Sequence, residues 1–183
     1  MKRIISVFTV LVVVGFGVYI YSANGEESVK EESETQDMKQ LVNDYSIGEK
    51  TSESASITSH DLIVTDSDEN QLTYDLPEDE FFVSIAPYVE QTHPCEIHSL
   101  TGCQGEMVDE AFSVLIEDMD GNVIVDETMN SMPNGFIDLW LPRDKTFHVE
   151  ISHNGKTAES EFSTFEGDNT CITTIQLKES SSV

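Results

Sequence analysis

From about Ser56 to Leu177 apolar residues recur at every second position in short runs, and turn residues separate the runs. Period two is the spacing at which a strand sends alternate side chains to one face, so this stretch buries a core as β-sheet. The predicted strands lie near Asp61–Thr65, Gln71–Leu76, Phe81–Pro87, Ala111–Glu117, Val123–Glu127, Gly135–Leu141, Thr146–His153, Thr157–Ser163 and Cys171–Leu177. Asp120-Gly121 and Asn154-Gly155 fall between paired runs, and both dipeptides accept the positive φ of tight hairpins. The expected fold is mainly β, a small β-sandwich or related barrel, with Trp140, Phe136, Phe147, Phe162 and Phe165 supplying core bulk.

The residues before this region read differently. Met1 to Arg3 carry two positive charges, and Ile4 to Ala23 is an uncharged, mostly apolar run, long enough as a helix to cross about 30 Å of hydrocarbon. Residues 1–23 are therefore expected to be a signal peptide or a membrane anchor. Tyr21-Ser22-Ala23 offers a small residue at only one of the two cleavage-recognition positions, which favours the anchor. The basic flank keeps the N-terminus in the cytoplasm and sends the remainder to the outer face of the membrane, periplasmic or extracellular. Residues 24–55 follow as an acidic stalk ending in one amphipathic helix, with Met38, Leu41, Val42 and Tyr45 spaced i, i+3, i+4, i+7 and Gly48 placed to stop it. Residues 56–179 form the β-rich domain, and 180–183 a disordered tail.

The chain holds 35 acidic residues against 9 basic ones, a formal net charge of −26. Self-repulsion and counterion cost argue against nucleic acid and against an anionic lipid surface, so the membrane is met only through the N-terminal segment. Cations remain as ligands.

The run from Gln91 to Met107 places two of the three cysteines, Cys95 and Cys103, and two of the five histidines, His93 and His98, in one loop. Gly102 and Gly105 give that loop freedom to fold back, and Cys171 at the head of a strand is the distant ligand that would close a site. Three converging thiolates suit Cu(I), whereas Zn(II) takes a fourth ligand that His93 or His98 supplies. A disulfide with one leftover thiol is the competing reading, and stability does not choose its pairing. In the chain-entropy model a Cys95–Cys103 bridge is worth about 2.6 kcal/mol and Cys103–Cys171 about 4.4 kcal/mol. The C-x7-C spacing differs from that of ordinary zinc ribbons. Met107 is expected to pack in the core, His60, His148 and His153 to stand apart from the site, and Glu106 to be a surface residue or an orienter of an imidazole.

Several segments in register, FFVSIAPYVEQTHPCEIHSLTGCQGEM, VDETMNSMPNGFIDLWLPRD, ISHNGKTAESEF and TCITTIQLK, resemble the CueP family of exported copper-binding proteins over Phe81 to Lys178. The resemblance implies a mostly β domain outside the cytoplasmic membrane, in which Cys95, Cys103 and Cys171 fall on the family's three copper-site positions with histidines close by. It implies copper resistance or sequestration, delivery of copper to enzymes such as copper,zinc superoxide dismutase, and reduction of Cu(II) to Cu(I) by the thiols. It also implies a homodimer supported by an N-terminal helical part. That part is shorter and more acidic here. Binding and cupric reductase activity make different demands: two thiols give up two electrons by closing a disulfide, and turnover needs a reductant to reopen it.

Overall fold

The computed structural model describes residues 34–179. The expected signal or anchor, most of the stalk and the tail lie outside them. Among the described residues no helix is long and apolar enough to cross a membrane. The chain divides into two compact units, residues 1–40 and 41–183, and the strands described below belong to the second.

Helix α1 (34–46) is the predicted amphipathic segment. Val42 on its apolar face is buried, and Gly48, at φ +77°, follows its end, a conformation that costs glycine least. The strands are β1 (Ser54–Ile57), β2 (Asp61–Thr65), β3 (Gln71–Asp75), β4 (Glu80–Ile85), β5 (His98–Ser99), β6 (Ala111–Asp118), β7 (Val123–Asn130), β8 (Ile137–Pro142), β9 (Thr146–His153), β10 (Lys156–Ser163), β11 (Cys171–Ile172) and β12 (Lys178–Glu179). They form sheets of order β3-β2-β1-β5, β12-β10-β9-β6-β7 and β11-β4-β8. The fold is mainly β with one short helix, as expected.

Alternation explains the layering. Phe81, Val83 and Ile85 of β4 and Ile137, Leu139 and Leu141 of β8 point to one side, where they meet Phe112, Val114 and Ile116 of β6, Phe147, Val149 and Ile151 of β9, and Phe162 of β10. These two sheets enclose the main core. The intervening residues of β4, Phe82 and Ser84, face the other way and meet β5 through His98. The three-stranded sheet is thus apolar on one face and meets His98 through Ser84 on the other.

Several expectations need correction. Phe165 is 44 % exposed in the loop after β10, while Phe81, Phe82 and Phe112 are fully buried and supply bulk the sequence reading did not name. The strand starting at Cys171 stops after Ile172. Thr173 and Thr174 leave the ladder before Gln176 bridges to Tyr88 and Leu177 N–H donates to the Tyr88 carbonyl at 2.8 Å. β8 begins at Ile137 because Gly135, at φ +81°, closes the preceding turn with its N–H on the Met132 carbonyl. β7 continues to Asn130, since Thr128, Met129 and Asn130 pair with Ser113, Phe112 and Ala111. Three strands were not predicted. β1, Ser-Ala-Ser-Ile, has little apolar bulk, β5 is two residues long inside the cysteine loop, and β12 is two exposed residues, Lys178 and Glu179, paired with Thr157 and Lys156 of β10.

Candidate metal centre

The loop after β4 returns to the far face of the sheet and is tied down at both ends. The Glu106 carboxylate accepts N–H bonds from Val89, Glu90 and Gln91, the shortest at 2.8 Å from Gln91. Glu106 is therefore a backbone clamp rather than the orienter of an imidazole, and those three bonds hold its carboxyl below the usual glutamate range against the opposing effect of desolvation. Further on, Cys103 N–H donates to the Ser99 carbonyl at 3.0 Å, making the turn that aims Cys103 inward, and Leu100 N–H donates to Ala55 of β1 at 2.8 Å.

Cys171 reaches this loop through backbone bonds. The N–H groups of Thr170 and Cys171 both donate to the Glu96 carbonyl, at 3.0 and 3.2 Å, so the distant cysteine is fixed beside the residue that follows Cys95. Thr170 Oγ1 adds a bond to the Ile57 carbonyl at 2.6 Å and accepts the His98 N–H at 3.0 Å. β11 then runs parallel to β4, with Cys171 opposite Ser84.

The side chains converge. Cys95 Sγ lies 3.5 Å from Cys103 Sγ, and all three cysteines are free thiols. Two overlapping donor sets result, His93 with Cys95 and Cys103, and His98 with Cys103 and Cys171; within each, the ligand atoms lie within 4.8 Å of one another. Cys103 belongs to both. Phe136 and Ala86 pack beside the three cysteines. A cleft of about 350 Å³, lined also by Glu161, Asp168 and Thr173, reaches Cys95 and Cys171 from solvent.

The three sulfurs are electrostatically unequal. Cys103 is held far below the ordinary thiol value, chiefly by a hydrogen bond from the Cys171 thiol, with His98, His93 and the Ser99 N–H adding to it against desolvation. Cys171 is raised by that same hydrogen bond to Cys103, and Cys95 is raised chiefly by desolvation. Cys103 is thus the sulfur of the three most readily deprotonated, and an entering cation displaces the protons the cluster still holds.

Donor chemistry fits a soft metal ion. Sulfur and imidazole nitrogen line the site, the nearest sulfurs approach closely without a bond, and the fully buried His98 leaves its Nδ1 without a hydrogen-bond partner. His60 and His153 lie elsewhere, beside Glu166 and Glu110. Met107 packs against the main core, as expected. Sequence reasoning missed Ser84 and Asp138, which stand behind His98. Their signal was weak, a serine and an aspartate at positions that alternate with the core-facing residues of β4 and β8.

No curated protein matches the chain. A family model described as "Periplasmic copper-binding protein CueP" matches residues 37–176. The crystal structure of S.CueP is 42 % identical in sequence, with a TM-score of 0.72 over 77 % of this chain and 88 % of that one. The family match spans the loop, the sheet beneath it and Cys171, and with the 42 % identity to S.CueP it shows that the chain belongs to the CueP family of periplasmic copper-binding proteins.

Proposed function

We propose that this protein is exported and holds Cu(I) through the thiolates of Cys95, Cys103 and Cys171, with His93 and His98 as auxiliary ligands, to sequester copper or pass it on. The observation that carries the reading is the position of Cys103 at the junction of both donor sets. Cu(I) is stable with two or three thiolates, and a shared central sulfur lets an ion sit between Cys95 and Cys171 without a fourth ligand. Zn(II) at a mixed cysteine and histidine site is the competing occupant, because it completes a tetrahedron with imidazole. X-ray absorption on metal-loaded protein tests the assignment: two or three sulfurs at the copper edge support it, and a tetrahedral zinc site that copper does not displace overturns it. Residues 1–23 serve export in this reading, cleaved or retained as an anchor. A copper-requiring enzyme such as superoxide dismutase is the recipient, and a homodimer is the assembly that the family resemblance implies.

A second reading is favoured by the 3.5 Å approach of Cys95 to Cys103 as free thiols. Closing that disulfide releases two electrons, with any remaining thiol protons passing to solvent, enough to reduce two Cu(II) to two Cu(I). Mixing reduced protein with excess Cu(II) without oxygen separates the readings. Continued Cu(I) production with an added thiol reductant marks a cupric reductase, and a single burst marks stoichiometric binding.

A further inference from the structure

A chain of buried polar groups runs behind His98 and carries an inference that rests on the copper reading. Cys171, Ser84 and Asp138 form one rung across β11, β4 and β8, since Cys171 pairs with Ser84 and Ser84 with Asp138. His98 lies over this rung, its ring 4.6 Å from that of Phe136 and 6.2 Å from that of Phe82. An imidazole packed between two aromatic rings and fully buried is not free to turn over.

Hydrogen bonding then assigns which nitrogen faces the sulfurs. Ser84 Oγ lies 2.5 Å from Asp138 Oδ1, and Ser46 of α1 donates to Oδ2 at 2.7 Å. The same Ser84 Oγ lies 3.3 Å from His98 Nε2, so Nε2 is turned toward the serine. That leaves Nδ1, buried without a partner, in a residue whose ligating nitrogen lies within 4.8 Å of the sulfurs of Cys103 and Cys171.

We propose that Ser84 and Asp138 are positioning residues that hold the His98 ring by Nε2 and present Nδ1, rather than Nε2, to a metal ion at Cys103 and Cys171. Neither residue touches the ion. A carboxylate acting on the far nitrogen of a ligating imidazole fixes its orientation and raises its basicity, and such a partner is worth about 10- to 100-fold in metal affinity. Here the serine hydroxyl relays the carboxylate.

The test is two-bond ¹H–¹⁵N correlation on ¹⁵N-histidine-labelled, reduced protein before and after Cu(I) loading, with Cu(I) competition against a chelator. On loading, the wild type should show the His98 Nδ1 resonance shifted by the metal and Nε2 protonated. Ser84→Ala removes the partner of Nε2 and Asp138→Asn the carboxylate behind it; each should shift the His98 ring resonances of the metal-free protein and lose about 10- to 100-fold in Cu(I) affinity. Metal on Nε2 in the wild type overturns the proposal, and so does wild-type affinity in both variants. A wild type that takes no Cu(I) defeats the copper reading instead, and the metal-free His98 resonances then decide the positioning: shifted in both variants they support it, unchanged they overturn it.

Discussion

Gly105 and Gly135 meet backbone to backbone: a Cβ on Gly105 would stand 2.5 Å from the Gly135 carbonyl oxygen, and one on Gly135 would stand 2.8 Å from the Gly105 backbone. Gly105 N–H also donates to the Asn134 carbonyl at 2.7 Å. The cysteine loop is therefore pressed directly onto the turn that precedes β8, with no side chain between them.

From this contact Gly105→Ala is expected to lose about 1–3 kcal/mol of stability, the usual cost of overpacking a tight contact. Gly135→Ala should lose more, because φ of +81° adds a left-handed penalty of about 1–2 kcal/mol. Urea unfolding of both variants checks the order. A Gly105→Ala protein as stable as the wild type would mean that the two backbones are not in contact.

Glu106→Ala removes the acceptor for the N–H groups of Val89, Glu90 and Gln91. Amide hydrogen exchange at these three positions should rise, with little change in the main core. In the wild type their amide shifts should titrate together with the Glu106 carboxyl, below the pH at which an ordinary glutamate titrates. Titration at or above that value, or unchanged exchange in the variant, refutes the clamp.

Asp118 supports the hairpin between β6 and β7. Its carboxylate accepts from Asn122 Nδ2 at 3.0 Å, from Lys145 Nζ at 3.0 Å, and from the N–H groups of Asn122 and Asp120. Bonds from Asn122 and Lys145 lead in holding its pKa far below the ordinary aspartate value. A pKa depressed by folding contributes stability above the unfolded-state value, and that contribution fades as pH falls toward the folded one. Asp118→Asn should therefore be less stable than the wild type at pH 7, and the gap should narrow in strong acid. Melting curves across pH decide it; a gap that widens in acid has the wrong sign.

Cys171→Ser keeps the size of a buried residue whose position is set by backbone bonds to Glu96, so the fold should persist. Cu(I) affinity should fall by more than the ~10-fold that losing one hydrogen bond behind a ligand costs. Chelator competition reads the affinity and circular dichroism the fold. Unchanged affinity removes Cys171 from the site.

Much of the sheet was legible in the residues. β2 and β9 lie where alternation put them, because each shows one face to a core and the other to solvent or a neighbour. The two hairpin glycines, Gly121 and Gly155, take the positive φ their dipeptides led one to expect. The shorter run at Cys171 was misread because Ile175 and Leu177 are buried without belonging to that strand, and burial alone does not reveal which backbone groups pair.

Residue types and local spacing were enough to set the strand periodicity, the helix at 34–46 and the candidate sulfur and imidazole donors, since each depends on neighbours along the chain. Tertiary structure alone decided that Cys103 is shared by both donor sets, that Glu96 anchors Cys171, and that Ser84 and Asp138 stand in one rung beneath His98. Those relations are made by strand register and loop closure between segments far apart in sequence, and no local pattern encodes the distance across a fold.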